Sequence, residues 1–259
     1  MIPKIIHYCW LSDDEFPSLI KSCIETWKKI LPEYEFILWD TNRFPLEDNI
    51  WVKQAFEAKK YAFAADYIRL YAVHNYGGIY LDTDIEVVKS FNPLLHLPYF
   101  IGSEGEGIIE AGVFGSEKGC DWINDCLSYY DGKSFIKSDG GYDTLTLPRI
   151  MMKKIQERYI IEELTDSVTK NYLYSPSVDN LFMFPKDFFC AKNHGTGIIE
   201  KTDNTFCIHH FAMSWIPKKT TFLPNIKRKL IHVFGVRTIY NIIKIFRLQQ
   251  LRTLLSKKK

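Results

Sequence analysis

Two aspartates one residue apart, Asp82 and Asp84, are the groups in this 259-residue chain whose types and spacing most directly suggest chemistry. Residues two apart on an extended backbone project to the same side, so both carboxylates can reach one cation. Carboxylates this close repel, and a hard, oxygen-preferring metal relieves that repulsion. A bare D-x-D arises by chance in any acidic loop, so its setting decides. From Phe56 to Tyr76 the residues Phe63, Tyr67, Leu70, Tyr71 and His74 recur at helical spacing. Gly77-Gly78 then ends the predicted helix, glycine taking a left-handed cap without steric cost. Ile79-Tyr80-Leu81 is short and β-prone, a buried strand that delivers the two aspartates. The helix also carries Asp66 and Arg69, at i and i+3 on one face. An intrahelical ion pair is the plain interpretation, but a strand returning alongside that helix brings both residues near Asp82 and Asp84.

The elements that hold this segment are legible on either side of it. Lys4 to Trp10 is apolar nearly throughout, as expected of a central strand covered on both faces. Pro17 to Leu31 has helical spacing, and Glu35 to Trp39 is a second strand ending at Asp40. Strand–helix–strand in about 35 residues is a βαβ unit. Ligands of such sheets gather at the carboxyl ends of the strands, which puts Trp10, Asp40 and Asp82 on one edge. Further on, strands are predicted at 99–102, 111–115 and 205–211 and helices at 120–130 and 146–159, with a loop of turn formers at 138–144. The fold class is α/β, a single Rossmann-like domain.

Hydrophobic residues make up 46% and aromatics 15%, enough for a substantial core. The net charge of +2 conceals an asymmetry: 12 of the 33 basic residues and none of the 31 acidic ones follow Pro217. The division expected is a catalytic domain over 1–217 and a basic tail over 218–259. The cysteines (Cys9, Cys23, Cys120, Cys126, Cys190 and Cys207) form no C-x-x-C pair and no zinc spacing, as expected of free thiols in a reducing compartment. Neither a leader pattern nor a run of roughly 20 uncharged apolar residues is present. The expected location is cytoplasmic, peripheral on the inner face of the membrane.

Helix, double glycine, apolar strand and D-x-D together resemble the sugar-transferase motif of glycosyltransferase family 32. That group includes bacterial capsular-polysaccharide enzymes and yeast initiating α-mannosyltransferases, and is related to the clostridial glucosylating toxins. IPKIIHYCW resembles the family's opening I-P-K-x-I-H-x-x-W, and Ala64 to Arg69 resembles its A-x-D-x-x-R. HHFAMSW resembles its near-terminal H-H-x-x-x-S-W. The resemblance implies a GT-A type fold and retention of anomeric configuration. It implies that Trp10 stacks on the donor base, that Asp66 accepts from sugar hydroxyls and that Arg69 neutralises diphosphate charge. It implies that Asp82 and Asp84 bind Mn2+ (or Mg2+), Asp84 more directly, and that Ser214 and Trp215 close over the diphosphate. A histidine supplies a further metal ligand; adjacent strand residues face opposite ways, so one of the pair is expected, and spacing back from Trp215 favours His210, with His209 as the alternative. Glu104, Glu106, Glu110 and Asp143 lie in loops that could approach the acceptor, each more simply a solvated charge.

The activity expected is transfer from a UDP- or GDP-sugar to a saccharide or lipid-linked acceptor in surface-polysaccharide synthesis. A haloacid dehalogenase-like phosphotransferase also places D-x-D after a buried strand, but Glu86 stands where that class expects Thr or Val. An inactive membrane-attached sugar-binding scaffold is the non-enzymatic alternative. In the tail, Ile226, Leu230, Val233 and Phe234, then Ile239, Ile242, Ile243 and Phe246, recur at helical spacing among Lys and Arg, with Gly235 between two helices. Apolar faces bordered by basic residues suit an anionic membrane surface, and nucleic acid would leave those apolar residues unused.

Overall fold

The computed structural model of the chain describes residues 1–164, 179–212 and 218–245. The described residues fall into two compact units. One comprises residues 1–164, 179–191 and 201–212, the other residues 192–200 and 218–245.

The first unit is built on a five-stranded sheet. Strands β1 (Ile5–Cys9), β2 (Glu35–Trp39), β3 (Gly78–Leu81), β5 (Tyr99–Gly105) and β6 (Ile108–Ser116) take the order β2-β1-β3-β6-β5. The first three are parallel, and β6 runs against β3 and β5. The carboxyl ends of β1, β2 and β3 therefore share one edge, which carries Trp10, Asp40 and Asp82 as expected. Alternate residues feed two cores. Tyr80 and Phe114 pack on one face with Trp39, Trp51 and Trp122. Ile79, Leu81 and Val113 pack on the other with Trp27, Phe91 and Phe206.

Helix α1 (Ser18–Ile30) connects β1 to β2, with Ile20, Cys23 and Trp27 as its buried stripe. It also holds β4 (Ile85–Val87), the strand just after the aspartates. Trp27 Nε1 donates to the Ile85 carbonyl at 2.6 Å, and the Val87 amide donates to Thr26 Oγ1 at 3.0 Å. Among the described residues two further strand pairs lie outside the main sheet. In one, β7 (Ile160–Glu163) and β8 (Asn180–Met183) are parallel; in the other, β4 and β9 (Cys207–His209) are antiparallel.

The helix expected from Phe56 to Tyr76 is two helices, α2 (Ile50–Glu57) and α3 (Tyr61–Tyr76). Lys59 has φ 56, and its amide and that of Lys60 donate back to the Phe56 and Ala55 carbonyls at 2.8 Å each. This is the paired C-terminal cap usually built on glycine. A lysine there hides the break from sequence inspection, at a cost of roughly 1–2 kcal/mol for the left-handed backbone. Gly77 ends α3 as expected, but with φ 69 and ψ −175, a conformation open essentially to glycine alone rather than the left-handed helical cap. Among the described residues this unit also contains α4 (Asp121–Leu127), α5 (Leu147–Gln156) and α6 (Lys186–Phe189).

In the second unit, α7 (Lys218–Phe234) and α8 (Val236–Ile245) are separated by Gly235 at φ 80. Residues 192–200 belong with these helices, Arg228 Nη2 donating to the His194 carbonyl at 2.6 Å. Among the described residues no helix is long and apolar enough to cross a membrane.

His7 shows how tightly the sheet is keyed to the end of α3. The ring is fully buried; Trp39 Nε1 donates to its Nδ1 at 3.1 Å, and its Nε2 lies 2.8 Å from the Gly77 carbonyl. Those partners select the neutral tautomer with the proton on Nε2. Burial pushes the His7 pKa down to about 4, the bond to Gly77 only partly opposing it. The unfolded histidine takes a proton near pH 6.5 and the native one only near pH 4, so stability must fall as pH drops through that window. His7→Gln keeps a donor for Gly77 but does not titrate. Urea denaturation between pH 7 and pH 4 should show the wild type losing up to about 3 kcal/mol more than this variant; equal losses would mean that His7 does not titrate as argued.

Candidate active site

Arg69 lies at the centre of the carboxyl edge, donated by α3 and buried. Its Nη2 is 3.2 Å from Asp66 Oδ1, and its Nη1 is 3.2 Å from Asp82 Oδ1. Nη1 also donates to the Ala111 carbonyl at 2.9 Å, and the guanidinium lies over the Tyr80 ring, 4.7 Å from its centroid. The expected neighbourhood of Asp66, Arg69 and Asp82 is thus formed. Burial raises the Asp66 pKa to about 6 and the Asp82 charge adds to this, Arg69 opposing both.

The two aspartates of the D-x-D turn to different partners. Asp82 Oδ1 accepts from the Tyr80 hydroxyl at 2.9 Å, and the Asp82 amide donates to the Gly112 carbonyl at 2.8 Å. Asp84 is buried; its Oδ2 accepts from the Ala212 amide at 2.6 Å and its Oδ1 lies 3.5 Å from His209 Nε2. Burial would raise the Asp84 pKa, but the His209 charge and hydrogen bond, with the Ala212 amide, take it down to about 2.

The structure brings His209, not His210, to the aspartates. Ligand-type atoms of Asp82, Asp84 and His209 all lie within 4.8 Å of one another. His210 Nε2 is 2.8 Å from Glu86 Oε2 instead. Register explains the difference: β9 pairs with β4 so that Glu86 lies opposite Ile208, two residues before His210 and so on its side of the strand. Counting back from Trp215 cannot fix that parity, because the chain leaves the strand after His209 and Phe211 adopts φ 52.

A further correction concerns Glu110, expected as a solvated loop charge. It is 2% exposed on β6, and both its carboxylate oxygens lie 3.1 Å from His209 Nδ1. Its pKa is lowered, because the His209 charge and hydrogen bond, with the Cys190 thiol and the Gly112 amide, overcome the effect of burial. The position arises from an irregularity in β6: Ile101 pairs with Phe114, yet Gly102 pairs with Glu110. The intervening residues bulge toward the edge, where Ala111 and Gly112 offer their carbonyls to Arg69 and Asp82. The E-x-G of Glu110 and Gly112 was the available sequence signal.

The other expected residues are placed as follows. Trp10 follows β1, its Nε1 donating to the Asp14 carbonyl at 2.9 Å and its ring edge-on to Phe16. Asp143 accepts from the Tyr129 hydroxyl at 2.8 Å, and Glu106 sits in the tight turn of the β5–β6 hairpin at φ 53. Glu104 lines a groove of about 600 Å3, with Ile108 from the hairpin and Pro148, Arg149 and Met152 from α5. Ser214 and Trp215 lie outside the described residues. The described cysteines, including all six of the chain, are free.

Comparison with known proteins accords with this geometry. Residues 17–101 match the family described as "Glycosyltransferase sugar-binding region containing DXD motif". Inositol phosphoceramide mannosyltransferase 3 of Schizosaccharomyces pombe is 33% identical over 125 residues, 46% of this chain and 34% of that protein. Mannosyl phosphorylinositol ceramide synthase SUR1 of Saccharomyces cerevisiae is 32% identical over 120 residues, 45% and 31% respectively. The chain thus spans about a third of the length of the curated relatives it matches. Among solved structures, PaToxG glycosyltransferase gives a TM-score of 0.46 at 21% identity, covering 60% of this chain and 69% of that one. The galactosyltransferase LgtC gives 0.40 at 12%, covering 90% and 96%. At such scores the structural likeness decides nothing further.

Gly112 has no room for a side chain: a Cβ there would lie 2.8 Å from Glu110 Oε1 and 2.9 Å from Asp82 Oδ2. Gly112→Ala should therefore cost about 1–3 kcal/mol by overpacking. The check is the thermal midpoint, which an unchanged value would show to be insensitive to this contact.

Proposed function

We propose that this chain, which carries the DXD-containing glycosyltransferase sugar-binding region, transfers a sugar from a nucleotide-diphosphate donor, UDP- or GDP-linked, to a membrane-borne acceptor. One observation carries the reading: two carboxylates and an imidazole converge at the carboxyl edge of a parallel strand, with a buried arginine beside them. Oxygen and imidazole ligands in this ratio suit Mn2+, or Mg2+. Asp82, Asp84 and His209 would hold the ion. When bound, a divalent cation supplies positive charge where the departing diphosphate becomes negative.

The chain's own groups divide the remaining work. Arg69 holds Asp82 in place and offers a fixed positive charge beside the edge, useful to a leaving diphosphate only because it is preorganised. Asp66, ion-paired to Arg69, is available to accept from sugar hydroxyls. Trp10 follows β1 at the same edge, where a ring can stack on a base, an interaction worth about 1–3 kcal/mol. The groove beside Glu104 and Arg149 is the proposed acceptor entrance. Retention of anomeric configuration is the outcome proposed from the family resemblance. The names of the fungal relatives point to mannose and an inositol-phosphate lipid, which makes GDP-mannose and a phosphorylinositol headgroup the first substrates to try, before lipid-linked surface glycans. The matched family region and the fungal relatives are sugar transferases, which gives a phosphotransferase reading no support.

Asp84→Asn should keep the fold and lower Mn2+-stimulated donor hydrolysis at least about 100-fold, the scale of removing a transition-state charge contact. In calorimetry His209→Ala should lose Mn2+ affinity and His210→Ala should not. Near-normal turnover of Asp84→Asn, or the reverse order of the histidines, would sink the metal assignment.

The basic helices are proposed to hold the enzyme on the cytoplasmic face of an anionic membrane. Supporting this, Leu223, Val233 and Phe234 are more than half exposed on α7, a helix that also carries Lys227, Arg228 and Lys229. Each basic residue near such a surface contributes about 1 kcal/mol. Full-length protein should sediment with phosphatidylserine vesicles and not with neutral ones, and should release in high salt; no sedimentation at low salt would remove this role.

A further inference from the structure

We infer that Glu110 is a positioning residue that holds His209 in the one orientation and tautomer able to complete the cation site. This rests on the metal reading above and goes beyond it, since Glu110 is not one of the three converging ligands. Its carboxylate is turned to donors of this chain rather than to the gap between the aspartates. Both oxygens face His209 Nδ1 at 3.1 Å, Oε1 also accepts from the Gly112 amide at 2.7 Å, and the Cys190 thiol donates to it as well.

An imidazole that ligates through one nitrogen must carry its proton on the other, and a carboxylate behind that other nitrogen fixes both proton and ring plane. Glu110 stands behind Nδ1, which leaves Nε2 as the nitrogen facing the aspartates, 3.5 Å from Asp84 Oδ1. Phe211 fixes the ring from its face: the two rings stack with centroids 4.0 Å apart and planes 23° apart. A carboxylate 2% exposed is costly to bury unless its partners are built around it. Here they are. The absence of a side chain at Gly112 serves the same arrangement, because a Cβ there would press on Glu110 Oε1 and approach His209 Cε1 at 3.1 Å. Glu110 thus acts through His209.

The test uses full-length protein with Mn2+ alone in titration calorimetry, so it does not depend on knowing donor or acceptor. Glu110→Gln, isosteric but uncharged, should weaken Mn2+ binding by about 10–100-fold, the usual effect of losing such a partner. His209→Ala should weaken it too, and the double variant should be no weaker than His209→Ala. Unchanged affinity in Glu110→Gln, or losses that multiply in the double variant, would overturn action through His209. If His209→Ala alone leaves Mn2+ binding intact, the metal reading itself fails, an outcome distinct from failure of the positioning role. Should Glu110→Gln not fold, nitrogen NMR of the wild-type histidines with Mg2+ bound remains decisive. His209 is expected with Nδ1 protonated and Nε2 bare, and the opposite tautomer overturns the inference.

Discussion

Arg69 is a buried cation that touches a carboxylate of its own helix, a carboxylate of the neighbouring strand and a carbonyl of the next strand. Removing such a charge from water is expensive and becomes tolerable only when the partners are fixed in number and place. The constraint is mutual, since Asp66 and Asp82 could not share this pocket without the guanidinium. It joins α3, β3 and the β6 bulge at a single point, and the aromatic face of Tyr80 closes the fourth side. Even so, burial, with the Asp82 charge beside it, raises the Asp66 pKa to about 6 against the pull of Arg69.

From that point the two aspartates of the D-x-D are separated by role. Asp82 is drawn toward Arg69 and the sheet, whereas Asp84 is drawn toward the amide of Ala212 and the imidazole of His209. The distance between these destinations depends on β4, and β4 is held by Trp27 and Thr26 of α1. A helix far along the chain from the aspartates therefore anchors the strand that follows the second one. The glycines contribute by omission: Gly77 turns the chain from helix to strand with a backbone few residues adopt, and Gly112 leaves space where the Asp82 and Glu110 carboxylates approach.

The sequence alone was sufficient for most of what rests on side-chain spacing. The period of α1 and α3, the βαβ unit, the shared edge of Trp10, Asp40 and Asp82 and the grouping of Asp66 and Arg69 with the D-x-D all follow from side-chain spacing over a few residues. Three features required the tertiary structure, each for a physical reason. The break between α2 and α3 rests on Lys59 accepting a left-handed backbone, which no glycine announces. The choice of His209 over His210 rests on the register of β9 against β4, and a slip of one residue would exchange their faces. The role of Glu110 rests on a bulge that turns what looked like a solvated loop charge into a buried one, bonded to a histidine 99 residues away. Spacing determines which residues share a helix face or a strand end; pairing between distant strands alone decides which of them meet, because the free energy that selects a register comes from contacts across the sheet rather than along the chain.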